Sequence, residues 1–212
     1  MIVKRIPVSP LMTNCYILAC EKTKEAAIID AGDEPYRILE AIDSSGLTVK
    51  YLVNTHAHVD HVSAVYDIKK EKGAPFLLHR NEEIVLSGLN ASRTLFGFGQ
   101  GEIPKVDEYI DETTSISVGE YSLQVIETPG HSPGGICLRT GSTIFVGDTL
   151  FAGSVGRTDL PGGSSTALME SIRKKLMVLD DGTVVYPGHG PDTTIGAEKR
   201  NNPFINGRLG GF

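Results

Sequence analysis

The segment Thr55-His56-Ala57-His58-Val59-Asp60-His61 sets three imidazoles and a carboxylate within six consecutive positions. It falls between an apolar run ending at Val53 and an amphipathic stretch starting near Val59. His56 and His58, two apart, project to the same side while the backbone is extended. Asp60 and His61 then enter the first turn of a helix, which brings His61 toward His58 at i, i+3 spacing. The spacing offers two adjacent groups of ligands instead of one tetrahedral set. Four titratable groups crowded at a strand end are costly unless a cation compensates them. Imidazole mixed with carboxylate, and no Cys, suits Zn²⁺, Fe²⁺ or Mn²⁺.

The partners that such a cluster lacks lie further along. His131 and His189 each follow Pro-Gly after an apolar strand, where glycine lets the chain turn sharply toward a strand-end site. Asp148 ends the run Ile144-Phe145-Val146-Gly147. Alone, Asp148 reads as a turn residue. Taken together, these positions supply a third imidazole for each of two metals and a carboxylate able to reach both.

Elements must hold these residues in place. Short β-favouring runs at Ile2-Val3, 15–18 and 26–29 precede a helix that Pro35 opens and that continues to about Ser44, and a strand follows at 49–53. Helical spacing returns over 59–72, with Val62, Val65 and Ile68 on one stripe, and Gly73 ends it. Phe76-Leu77-Leu78 reads as a buried strand and 82–89 as a short helix. Residues 90–107, with Gly97, Gly99, Gly101 and two exposed-looking aromatics, Phe96 and Phe98, read as either a mobile substrate loop or an ordered surface loop. Strands are expected at 122–126, 136–139, 143–146 and 183–186, with a helix over 166–179 and a short one before Asn201-Asn202-Pro203. A faint duplication runs through this order: Ile28-Ile29-Asp30 answers Phe145-Val146-Gly147-Asp148, and Pro-Gly-His occurs twice. The expected class is an α/β sandwich in one domain.

Composition narrows the function. Twenty Lys and Arg against 26 Asp and Glu, a net of −6, argue against a protein that lives on nucleic acid, which needs clustered cations. No secretory signal and no apolar run of membrane-spanning length are visible. Three scattered cysteines, Cys15, Cys20 and Cys137, read as free thiols in a reducing compartment. The expectation is a cytoplasmic protein with no nucleic-acid and no membrane partner.

In these residues the chain resembles the metallo-β-lactamase superfamily: Asp30 in Ile29-Asp30-Ala31-Gly32, the His56-x-His58-x-Asp60-His61 signature, His131, Asp148 and His189 follow the family's order. The resemblance implies a four-layer αββα sandwich over residues 1–212. It also implies two divalent metal ions, zinc foremost and iron or manganese also suited. His56, His58 and His131 would hold the first. Asp60, His61 and His189 would hold the second, with Asp148 and a hydroxide bridging. Asp30 is then a supporting acid and not a ligand, and His79, without a motif partner, is structural or at the surface.

Within the superfamily, the segments 147–151, 156–163 and 193–204 are similar to single-domain glyoxalase II-like hydrolases. Full-length glyoxalase II adds a C-terminal helical domain that helps hold glutathione, whereas about 23 residues follow His189 here. The implied reaction is hydrolysis of a thioester, S-lactoylglutathione or a related acylthiol, with no protein nucleophile. A mononuclear-iron persulfide dioxygenase, using His56, His131 and Asp148, is the alternative that the Gly156-Arg157-Thr158-Asp159 segment keeps open. Asp148, where the commonest class of true β-lactamases has Cys, argues against antibiotic hydrolysis. Arg157 is open to two roles, steering an anionic substrate or bonding within its own loop.

Overall fold

A computed structural model describes residues 1–207. The first half runs β1 (Ile2–Val8), β2 (Thr13–Ala19), β3 (Glu25–Ile29), α1 (Pro35–Asp43), β4 (Thr48–Val53), α2 (Val59–Val62), α3 (Val65–Lys72), β5 (Phe76–His79), α4 (Glu83–Ser87), α5 (Leu89–Phe96) and β6 (Glu108–Ile110). The second half runs β7 (Ser115–Val118), β8 (Tyr121–Glu127), β9 (Ile136–Thr140), β10 (Thr143–Gly147), β11 (Leu150–Phe151), β12 (Ser154–Val155), α6 (Ser165–Ser171), β13 (Val184–Pro187), β14 (Thr193–Thr194) and α7 (Ile195–Asn201).

The halves form two six-stranded sheets, ordered β1-β2-β3-β4-β5-β6 and β14-β13-β10-β9-β8-β7, while β11 and β12 make a separate ribbon. The first sheet is antiparallel up to β3 and parallel from β3 to β6. In the second, β10 and β13 are the parallel pair. The duplication seen in the sequence is therefore topological as well. In each sheet one strand of a parallel pair runs into an aspartate, Asp30 after β3 and Asp148 after β10. Its partner leads to a histidine, His56 after β4 and His189 after β13.

Strand alternation builds the layers. On β2, Cys15, Ile17 and Ala19 face one core, while Tyr16 and Leu18 face another. The first core lies under α1 and α3 and receives Ile38, Ile42, Val65 and Ile68. The second fills the space between the sheets with Ile29, Val53, Leu77, Leu123, Val125, Leu138 and Phe145. The third joins Ile144, Val146 and Val185 to Leu168, Ile172 and Leu176 from the α6 region. Three apolar interfaces separate four layers, giving the expected αββα sandwich.

Four local expectations are corrected. The helix expected over 59–72 is two helices, because the Ala64 N–H donates to Ala31 O at 3.0 Å instead of continuing the helical ladder. The irregular stretch expected at 90–107 begins as α5. Gly97, read as a loop signal, closes that helix at φ 75°, and Arg93 is buried with Nη2 donating to Ser63 O at 3.1 Å. The helix expected over 166–179 changes to π geometry at Ile172–Leu176. Phe98, expected to be exposed, packs against the core under α1 and α3. No helix among the described residues is long and apolar enough to cross a membrane.

Candidate metal centre

The site sits at one end of the sandwich, where chain segments leaving both sheets meet. Beyond β4 the chain bends at Thr55 and is extended at His58, so His56 and His58 sit at a strand exit, and α2 then delivers Asp60 and His61. The Asn54 side-chain amide pins this turn by donating to His61 O at 2.7 Å. His131 comes from the turn after β8. Gly130 there has φ 138°, and a Cβ on it would meet Leu168 N at 2.2 Å. His189 follows β13 through Gly188, where close approach and not backbone hand demands glycine: an added Cβ would lie 2.2 Å from Asp148 Oδ1.

The ring nitrogens are sorted by their outer partners. Asp30 accepts the Thr55 N–H at 2.7 Å and the Thr55 hydroxyl at 2.8 Å, so that hydroxyl is left to accept from His56 Nδ1 at 3.0 Å. His131 Nδ1 donates to Arg157 O at 2.8 Å, and His189 Nδ1 donates to Leu11 O at 3.1 Å. His61 Nδ1 stands 3.1 Å from Asp30 Oδ2. In His56, His131 and His189 Nδ1 is anchored outward and Nε2 is turned to the centre, while His61 turns Nε2 to the centre and faces Asp30 through Nδ1 without a well-aligned hydrogen bond. His58 is reversed and presents Nδ1.

The inward atoms converge in two groups. His131 Nε2 lies 2.9 Å from His58 Nδ1 and 3.3 Å from His56 Nε2. Ligands bonded at about 2.0–2.1 Å around a tetrahedral cation stand roughly 3.3 Å apart, so this trio has the spacing a cation requires. A second trio is formed by Asp60, His61 and His189, with His189 Nε2 at 3.1 Å and His61 Nε2 at 3.7 Å from Asp60 Oδ2. Asp148 reaches both: Oδ2 is 3.6 Å from His131 Nε2 and 3.6 Å from His189 Nε2, and Oδ1 is 3.4 Å from His61 Nε2. All seven residues predicted from sequence are thus brought together. His61 Nε2 and Asp148 Oδ1 are buried and make no well-aligned hydrogen bond among the described residues. Facing lone pairs and such orphans fit a bound cation.

Electrostatics agree with that donor set. Burial, then the neighbouring imidazoles His61, His58 and His131, drives the His56 pKa far below that of an ordinary histidine. Burial and then His131 lower His58 to about 4. Burial opposes ionisation of Asp148 and Asp60, but His61 outweighs it, and both carboxyls fall below their usual range. His61 itself is raised, since Asp148, Asp60 and Asp30 together overcome its burial. Both trios therefore include carboxylate or neutral imidazole donors at neutral pH.

Two residues gain roles that spacing did not reveal. Glu82, fully buried, accepts the Ala57 N–H at 2.8 Å through Oε2 and the Gly134 N–H at 2.7 Å through Oε1, tying the turn bearing His56 and His58 to the one bearing His131. Thr13 donates its hydroxyl to Asp60 Oδ2 at 2.8 Å. A lone Glu in a helical stretch and a Thr at a strand start carry no motif. His79 is structural as expected, accepting the Asn81 N–H at Nδ1 and facing Glu127 through Nε2. Of the two roles open to Arg157, the structure shows the local one. Its guanidinium makes two 2.7 Å bonds to Asp159, and its carbonyl holds His131.

Comparison with known proteins gives a consistent result. Residues 8–189 match the Metallo-beta-lactamase superfamily. "Probable metallo-hydrolase YqgX" of Bacillus subtilis is 37% identical, with 96% of this chain and 97% of that protein covered. "Hydroxyacylglutathione hydrolase GloC" of Haemophilus influenzae is 35% identical over 96% of this chain and 97% of its own. Among solved structures, BLEG-1 B3 metallo-beta-lactamase superposes with TM-score 0.90 at 38% identity, over 97% of this chain and 100% of that one. TTHA1623 in a di-iron-bound form gives 0.88 at 36% identity, covering 95% of this chain and 100% of its own. ETHE1 from Myxococcus xanthus gives 0.81 at 28% identity, covering 98% of this chain and 85% of its own.

Proposed function

The chain belongs to the metallo-β-lactamase superfamily, and from that membership we propose that it is a dinuclear metal-dependent hydrolase of thioesters, acting on S-lactoylglutathione or a related acylthiol. The observation that carries the reading is the pair of three-residue donor groups, His56/His58/His131 and Asp60/His61/His189, with Asp148 in reach of both. A likeness to GloC across nearly the whole chain supports the acylthiol. Two bound divalent cations, zinc foremost with iron or manganese also suited, would supply activated water and polarise the thioester carbonyl.

The protein's own contribution is positional. Asp30 and Thr55 hold His56, the Arg157 carbonyl holds His131, and the Leu11 carbonyl holds His189, so donor nitrogens do not swing away when substrate enters. His58, Asp60, His131, Asp148 and His189 all open onto one cavity, so a carbonyl bound there would lie beside both donor groups. A thiolate leaves readily, and no side chain is needed to protonate it.

Likeness to ETHE1, together with the approach of His131 to both His56 and Asp148, supports a mononuclear-iron persulfide dioxygenase as the second reading. In that reading Asp60, His61 and His189 have no metal to hold. Because a di-iron neighbour exists, the number of metals discriminates better than their identity. The test is elemental analysis of the purified protein with S-lactoylglutathione hydrolysis, oxygen uptake on glutathione persulfide, and a cephalosporin as comparison substrate. Two metals per chain with thioester turnover and no oxygen uptake are expected. One iron with brisk uptake overturns the hydrolase, and preferred cephalosporin turnover replaces the acylthiol with a β-lactam.

A further inference from the structure

The cavity in front of the donor groups has a volume of about 920 Å³, far more than a lactoyl group fills. Away from the metal-facing end its walls are hydrocarbon. Ile84 and Val85 of α4 and Leu95 and Phe96 of α5 form one side. Phe151, Val155, Leu160 and Pro161 form much of the other, and Leu11 stands at the rim. Several of these are exposed to an extent unusual for their type: Ile84 is 74% exposed, Leu95 78%, Phe96 46% and Leu11 46%. Such side chains gathered around the mouth of one cavity, and not scattered, mark a surface that a ligand covers.

Charge points the same way. Glutathione brings two carboxylates, which a site recognises with free cations. Arg157 is the one Lys or Arg among the described residues lining this cavity, and its guanidinium already donates two bonds to Asp159. The wall thus offers little to a glutathione backbone and much to a hydrocarbon.

We infer that the preferred substrates are thioesters bearing an apolar chain of several carbons, which lies along the α4–α5 wall while the thioester faces the donor groups. This rests on the hydrolase reading and specifies its substrate class. Burial of each methylene is worth about fourfold in binding when complete.

The experiment uses the metal-loaded protein and two substrate series. One varies the acyl group from acetyl to hexanoyl on N-acetylcysteamine; the other keeps acetyl and varies the thiol from ethyl to hexyl. S-lactoylglutathione is the reference. The expected kcat/KM rises at least tenfold along one series, and its slope tells which side of the thioester carries the chain. Leu95→Ser combined with Phe96→Ser, both at the rim, should flatten that slope. Calorimetric binding of the methyl and hexyl thioethers of N-acetylcysteamine gives a readout without turnover, with the hexyl compound at least tenfold tighter. Flat profiles in both series and equal thioether binding overturn the inference while leaving thioester hydrolysis in place. Absence of turnover on every thioester sinks the hydrolase reading instead, and the thioether pair then decides the apolar-chain claim alone.

Discussion

The Glu82 carboxylate accepts the backbone N–H of Ala57, the residue between His56 and His58, at 2.8 Å from a fully buried position. Its other oxygen takes the Gly134 N–H, so one side chain fixes the distance between two loops of different sheets. Glu82→Ala strands two buried donors, each costing about 1–3 kcal/mol. The melting temperature should fall, and metal affinity measured well below the melt should drop about 10–100-fold, as for lost supports of metal ligands. Unchanged metal affinity in a folded Glu82→Ala protein would show that the loops hold themselves.

Asp148→Asn keeps the shape of the side chain and removes its charge between the two donor groups. The expected outcome is near-normal folding, with fewer than two metals per chain and hydrolysis reduced by about 10²-fold or more. Elemental analysis beside steady-state kinetics checks both.

Arg157→Ala separates the two jobs of that residue. Its carbonyl, which orients His131, survives the change, and the guanidinium–Asp159 pair is exposed and contributes little. KM for S-lactoylglutathione should change less than about threefold, as for other exposed ion pairs. A tenfold rise in KM at constant kcat would restore the anion-steering role.

Thiol titration reads the cores. Burial pushes the Cys137 thiol up to about 12 and raises Cys15 further. At pH 8 neither carries appreciable thiolate, so both should resist disulfide reagents until the protein unfolds. Cys20 differs: backbone hydrogen bonds, first from Glu120 and then from Thr23, lower it to about 7, although it is 1% exposed. No more than one thiol per chain should react under native conditions, and three should react in guanidinium chloride.

What could be read in advance follows from where each signal resides. The His56–His61 cluster and the two Pro-Gly-His turns are local, with spacing that encodes projection, so the gathering of seven residues was visible in one dimension. The α/β class likewise followed from the order of β-favouring and helical runs, while the four layers came only with the family resemblance. Glu82 was hidden because a buried carboxylate with two backbone partners looks, in sequence, like any solvated Glu on a helix. The break after α2 was hidden because the acceptor for Ala64 N–H is Ala31, 33 positions earlier. In α5, Gly97 read as the sign of a loop although it is the cap of a helix held by the buried Arg93.

The two donor groups draw on both halves of the chain: His56, His58, Asp60 and His61 leave the first sheet, while His131, Asp148 and His189 leave the second. Neither sheet alone can present a complete trio to a cation. A cation held by either trio would therefore act as a crosslink between the two sheets, and the second trio closes only when β13 is in place and His189 has reached Asp60.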